Sequence, residues 1–238
     1  MPGLESVRAL TFDVFGTVVD WRSGVARDAA AILGGHDTEL DWGVFGDRWR
    51  ALYQPSMERV RSGERPWTRL DDLHRASLLQ VLDEFGIKDL SDADIAGLNR
   101  AWHRLDPWPD VVEGLGRLRT RYTLATLSNG NVSLLVDMAK RAGLPWDAVL
   151  GAEVARAYRP LPEAYLATAG LLDCHPEECL MVAAHHHDLV AARSCGFRTA
   201  YVHRPKEFGP IPKNDLPAEH GHDLVVADFL ELANALGT

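Results

Sequence analysis

Ala9-Leu10-Thr11-Phe12-Asp13-Val14-Phe15-Gly16-Thr17 is the stretch whose reading decides the fold. An apolar run ends in one carboxylate, and the chain turns at once through Gly16 and Thr17. Residues 7–14 therefore read as a buried strand with Asp13 at its carboxyl end, the edge where open α/β sheets bind ligands. Gly16 permits a tight turn beside that edge, and Thr17 offers a hydroxyl for positioning a ligand. An aspartate held there is able to act as a nucleophile and form a covalent ester with substrate. Two residues on stands Phe15 rather than a second aspartate. The competing reading of Asp13 is a buried strand-end residue that only caps the turn.

Outward from that strand the pattern changes twice. After Trp21-Arg22-Ser23 a long stretch carries few strand signals, and amphipathic helices are expected at 23–34, 40–62, 67–86 and 91–104. Ser91 ahead of Asp92 and Asp94 reads as an N-cap with an acidic first turn. Asp106-Pro107-Trp108-Pro109-Asp110 then punctuates the chain. Beyond it helices at 111–120, 131–142, 162–171 and 187–195 alternate with strands at 122–127, 148–151, 179–183 and 198–202, and residues 223–237 give a short strand and a closing helix. Such alternation predicts an α/β fold: a Rossmann-like parallel sheet with helices on both faces. The helical stretch becomes an inserted cap. The expected division is a core of 1–21 and 105–238 and a cap of 22–104. Internal repeats and low-complexity tracts are not expected, nor is disorder beyond a few terminal residues.

At 238 residues with 46% hydrophobic content the chain suffices for a sizeable core. Its net charge of −9 and pI near 5.5 speak against nucleic-acid backbone binding. An anionic substrate would need a local cluster of arginine or lysine despite that global sign. Three cysteines (Cys174, Cys179 and Cys195) without CxxC spacing suggest reduced thiols and a cytoplasmic enzyme. The start, Met1-Pro2-Gly3-Leu4-Glu5, lacks the basic and apolar regions of a signal peptide. No apolar stretch approaches a membrane span.

Three further strand ends bring polar groups to the sheet edge of Asp13. In Leu127-Ser128-Asn129-Gly130-Asn131, Ser128 and the amides opening the next helix are candidates for holding a carboxylate, and Asn129 for donating to a second anion. By itself, Ser-Asn-Gly is also a common strand-to-helix turn. The other two segments are Tyr158-Arg159-Pro160-Leu161-Pro162-Glu163-Ala164-Tyr165 and Met181-Val182-Ala183-Ala184-His185-His186-His187-Asp188-Leu189. The three histidines invite a metal reading, but consecutive residues cannot all face one ion on a regular strand or helix, so no metal is expected.

The Asp13 stretch, with these segments at these distances, resembles the haloacid dehalogenase superfamily, and nearly the whole chain resembles its type II 2-haloacid dehalogenases. Phosphatases of the superfamily carry a second aspartate two residues after the nucleophile, which protonates the leaving alkoxide. Halide is a stable anion that needs no proton, so Phe15 fits a halide leaving group. The family's usual Tyr-Lys-Pro-Asp-Pro reads here with Arg159 in place of lysine and Leu161 in place of aspartate. Arg159 keeps the charge but replaces a compact ammonium with a planar fork. The resemblance implies Asp13 as nucleophile, Arg159 as the cation that poises it, and Asp188 as the acid that helps activate water. Tyr165 matches the tyrosine following the third motif, and His185 a histidine common in one branch. In the cap segment Asp47-Arg48-Trp49-Arg50-Ala51-Leu52-Tyr53, Arg50 matches the arginine that receives the halide, with Arg48 second. Trp21 is placed as a pocket wall, and Thr17 with Ser128 as holders of the substrate carboxylate.

The expected reaction is hydrolysis of a short 2-haloalkanoic acid to a 2-hydroxy acid through an ester on Asp13, with inversion at C2 and no cofactor. The expected partners are thus a small carboxylic acid, no nucleic acid and no membrane, with a homodimer implied by the resemblance. Three alternatives stay open: ring-opening C–N cleavage as with azetidine-2-carboxylate, a Mg²⁺-dependent phosphatase, and a catalytically impaired member.

Overall fold

The computed structural model describes residues 3–34, 40–210 and 221–238. Met1 and Pro2, where the expectation about a leader begins, lie outside the described residues, as do residues 35–39 of the expected cap and 211–220 of the expected core. The strands are β1 Ala9–Phe12, β2 Val19–Asp20, β3 Asp106–Pro107, β4 Thr123–Ser128, β5 Ala148–Gly151, β6 Cys179–Ala183, β7 Arg198–Val202 and β8 Leu224–Val226. The helices are α1 Trp21–Leu33, α2 Trp42–Ala51, α3 Tyr53–Arg61, α4 Leu70–Glu84, α5 Asp92–Asn99, α6 Val111–Leu118, α7 Val132–Ala142, α8 Ala152–Ala155, α9 Pro162–Leu171, α10 His186–Ser194 and α11 Phe229–Ala235.

Six strands form one parallel sheet in the order β5-β4-β1-β6-β7-β8. β1 is central and wholly buried, which is why it is an unbroken apolar run. Side chains alternate across the sheet. Leu10, Phe12, Leu180 and Val182 enter one core, where Phe12 meets Phe229 of α11 at 5.6 Å and Trp146 at 5.2 Å between ring centroids. Ala9, Cys179, Met181 and Ala183 enter a second core with Tyr165 of α9 and Leu189 of α10. The chain runs from β1 to β4 and β5 on one side, then crosses to β6 on the other. That reversal opens a crevice at the carboxyl ends of β1, β4 and β6, the place where such sheets take ligands.

The helical cap, α1 to α5, is inserted after β1. Its entry and exit are tied by the antiparallel pair β2–β3, with Val19 opposite Pro107 and Asp20 opposite Asp106. Two-residue strands carry no periodicity, so this pair was invisible in the sequence. The single helix expected over 40–62 is two helices: Pro55 has no N–H for the carbonyl of Ala51, and its ring crowds that carbonyl, so the run breaks at Leu52. The last turn of the expected 91–104 helix is 3-10, at Arg100–His103. Ser91 does cap α5, in a reciprocal capping box with Asp94. Cap and core share an aromatic seam: Phe15 packs edge-on against Tyr53 (6.3 Å) and Trp102 (5.8 Å), and Trp21 stacks on Trp102 at 6.2 Å. His74 lies in that seam, neutral, because burial pushes its pKa down to about 3. Among the described residues no helix is long and apolar enough to cross a membrane.

Candidate active site

Asp13 follows β1 directly, its N–H bonded to Val182 O at 3.0 Å. The carboxylate is almost fully buried and satisfied on three sides. Arg159 Nη2 donates to Oδ1 at 2.6 Å, Thr17 Oγ1 to Oδ2 at 2.7 Å, and His185 Nδ1 lies 3.1 Å from Oδ2. Burial opposes charge on Asp13, but the Arg159 guanidinium, then His185 and the Thr17 hydrogen bond outweigh it. The carboxyl stays far below the usual aspartate range. Thr17 is buried, and its oxygen also accepts the Ala184 N–H at 2.9 Å. It therefore fixes the nucleophile and the β6 loop rather than lining the cavity, where it was expected to hold a substrate carboxylate.

Arg159 is reached through Asn129, a cavity residue whose Oδ1 accepts the Arg159 N–H at 2.9 Å and whose side chain also bonds toward Tyr53. From the cap, Arg61 Nη1 donates to Arg159 O at 2.9 Å, and Tyr158 reaches back to Thr68 O at 2.7 Å. With its backbone held on both sides, the buried guanidinium spans two carboxylates: Nη2 holds Asp13, and Nη1 holds Asp188 Oδ2. Tyr165 donates to the other oxygen of Asp188, and its own hydroxyl is pushed up, first by burial and then by Asp188. The planar fork does what one ammonium cannot, bridging two acids with separate N–H groups. Asp188, expected to help activate water, accepts from Arg159 on Oδ2 and from Tyr165 on Oδ1. Ser128 is fully buried and accepts the Gly130 N–H at 3.2 Å, closing the turn. The first amide of α7, Val132 N, bonds Glu153 at 2.7 Å, so neither feature expected to grip a carboxylate lines the cavity.

The three histidines diverge. His185 points inward, His186 Nδ1 lies 3.1 Å from His222 Nε2, and His187 lines the cavity. His185 leads to an acid with no motif of its own. Glu207, in the turn after β7, is 2% exposed and takes His185 Nε2 at 3.0 Å and Trp21 Nε1 at 3.0 Å. Its only sequence signal was indirect: a Cβ on Gly16 (φ +89°) would overlap its carboxylate, so the glycine of the first motif makes room for this acid as well as for the turn. Burial disfavours charge on His185, yet Glu207 and then Asp13 more than offset it and raise the imidazole to about 10. Three carboxylates (Asp13, Asp188 and Glu207) thus share the buried Arg159 guanidinium and the partly buried His185 imidazole.

The cavity over Asp13 has a volume of about 290 Å³ and is walled by Asn129, Arg159, His185 and, from the cap, Arg50, Tyr53 and Gln54. Arg50 lies over Tyr53 at 4.0 Å from the ring centroid, Trp21 at 5.4 Å and Phe15 at 6.0 Å, while its Nη1 is buried with no hydrogen-bond partner among the described residues. A guanidinium N–H so enclosed is a donor awaiting an anion. Arg48, the second match, instead pairs with Glu84 at 2.6 Å on the cap surface. Trp21 walls a neighbouring cavity of about 520 Å³ that shares Arg50, Tyr53, Gln54, His185 and His187 with the first.

Residues 7–196 match the family model of haloacid dehalogenase-like hydrolases. The chain belongs to this family. It is 30% identical over 223 residues to (S)-2-haloacid dehalogenase 4A of Burkholderia cepacia, covering 87% of this chain and 90% of that one. Among solved structures, it is similar to the defluorinating L-2-haloacid dehalogenase Rha0230, with a TM-score of 0.96 and 47% identity over 100% of this chain and 98% of that one. The L-2-haloacid dehalogenase PA0810 gives a TM-score of 0.92 and 45% identity, over 97% and 99% of the two chains.

Proposed function

We propose that this protein hydrolyses short 2-haloalkanoic acids to 2-hydroxy acids through an ester on Asp13. The observation that carries the reading is the pairing of a buried, ionised aspartate with a small cavity whose cap wall presents Arg50, with an unpartnered N–H, inside an aromatic enclosure. Asp13 attacks C2 in line, and the halide leaves toward Arg50 and the Asn129 amide. Water then attacks the Asp13 carbonyl, so C2 inverts once and an L-2-halo acid gives a D-2-hydroxy acid. The apolar seam around Phe15 suits this leaving group, because halide departure needs no proton donor at that position.

Segments 1–21 and 105–238 act as the catalytic core, and 22–104 as the cap that supplies Arg50 and closes the cavity. The free thiols of Cys174, Cys179 and Cys195 support a cytoplasmic setting. The test is halide release from L- and D-2-chloropropionate, chloroacetate and fluoroacetate with excess chelator. Release from the L-acid that disappears in Asp13→Asn supports the reading. No release from any of these acids refutes it.

A further inference from the structure

Among the donors around Asp13, those on Oδ2 are distinctive. Among the described residues Oδ1 has a single partner, Arg159 Nη2, whereas Oδ2 has two, the Thr17 hydroxyl and the His185 ring. The oxygen with spare lone-pair capacity is the one free to attack carbon, so alkylation falls on Oδ1 and Oδ2 becomes the carbonyl oxygen of the ester. When water adds to that carbonyl, the negative charge of the tetrahedral intermediate develops on Oδ2. Two donors already stand there, at 2.7 and 3.1 Å, which is the geometry of an oxyanion hole. Esterification brings a problem with it: the Asp13 charge that helps keep His185 protonated is gone. Glu207, 3.0 Å from the far ring nitrogen and held by Trp21 Nε1, still carries its charge.

We infer that Thr17 and a His185 imidazolium form the oxyanion hole for hydrolysis of the Asp13 ester, and that Glu207 is the positioning residue that keeps His185 protonated once the nucleophile is alkylated. This inference rests on the dehalogenase reading above. The step balances. Ester and water give a tetrahedral oxyanion on Oδ2 as water's proton passes to the Asp188 carboxylate and on to solvent; collapse breaks the Oδ1–Cγ bond, and the new hydroxyl's proton goes to the departing alkoxide, leaving the Asp13 carboxylate and the 2-hydroxy acid. One proton leaves per turnover, alongside the halide. His185 keeps its proton throughout. The groups facing its ring are Asp13, Glu207 and His187 (centroids 5.8 Å apart), and Arg50, Arg159 and Asp188 line the same cavity. Of these Glu207 acts most strongly to hold the proton, ahead of Asp13.

The test uses rapid mixing of enzyme with the acid that wild type turns over, followed by intact-protein mass spectrometry. Glu207→Gln should release one equivalent of halide in a burst, then turn over about 10²–10³-fold more slowly, the loss usual for an oxyanion donor. An adduct of substrate minus halide should accumulate on Asp13. In this variant the slow phase should recover in acid, where the imidazole protonates without help. His185→Asn should accumulate the same adduct with no acid recovery, because its amide has no charge to regain. Adduct with acid recovery in Glu207→Gln alone supports the inference. Variants that stay folded by circular dichroism but show no adduct, or a slowed burst, place the pair in the alkylation step and overturn it. Wild-type enzyme that releases no halide at all overturns the dehalogenase reading, and this inference with it.

Discussion

Arg159→Lys separates the bridging arrangement from a simple point charge. Lysine keeps the positive charge, so the penalty for leaving a buried carboxylate uncompensated, about 3–5 kcal/mol, is avoided. What is lost is simultaneity, since Arg159 Nη2 holds Asp13 Oδ1 at 2.6 Å while Nη1 holds Asp188. One ammonium on a flexible stem reaches one acid well and the other poorly. One charge-assisted hydrogen bond contributes about 1.5–3 kcal/mol, and each 1.4 kcal/mol is roughly a tenfold change. Arg159→Lys should therefore lower kcat/KM for the preferred 2-halo acid by about 10- to 100-fold, read as halide release under chelator. Urea unfolding followed in parallel should show only part of that loss. Arg159→Met removes the charge as well. Its melting temperature should fall by roughly 6–20 °C, at 2–4 °C per kcal/mol for a chain of this size. Full activity in Arg159→Lys would refute the claim that the fork, rather than the charge, sets the site.

Asp13→Asn should fold and release no halide, because the amide is no nucleophile and the net negative charge of the buried cluster falls by one; residual wild-type turnover would sink the covalent route. Arg50→Gln should raise KM and weaken product inhibition by bromide about 10- to 100-fold, the cost of one charged hydrogen bond, with circular dichroism unchanged. Stability should depend on pH through His185. Its folded pKa of about 10 lies above the ordinary 6.5, so its contribution is complete below 6.5 and is lost as pH rises through 10. The urea midpoint should drop over that interval in wild type and much less in His185→Asn. Asp13 acts with the opposite sign: its lowered pKa stabilises above the ordinary 3.8 and loses that contribution as the medium becomes more acidic.

Much of the fold was legible because its signals are local. The apolar run of β1, the alternation after Asp106 and the cap stretch with no strand pattern each reflect burial on one or both faces. The helix break at Leu52 has a local signal too, Pro55, but the helical pattern on either side of it hides the break. The two-residue strands of the β2–β3 pair could not be read at all. In the site, Asp13, Arg159, Asp188, His185 and Arg50 converge from four separate segments, and a strand-end position was enough to nominate the core members. Which partner each would take was not legible. The hydroxyls of Thr17 and Ser128 look the same in sequence whether they meet a substrate or close a turn, and only the local backbone geometry, which sequence does not print, assigns them to Asp13 and Gly130. Glu207 stayed hidden because it follows β7 in a turn with no recognisable spacing to Asp13. Its link to the site runs through the missing side chain of Gly16.

The central claim, a covalent ester on Asp13, is tested most directly by a single turnover in ¹⁸O-water with enzyme in excess over a 2-halo acid. The label should enter the peptide carrying Asp13, and the 2-hydroxy acid of that first turnover should carry unlabelled oxygen. Label found in the product instead would mean that water attacks C2 itself, and would contradict the covalent mechanism.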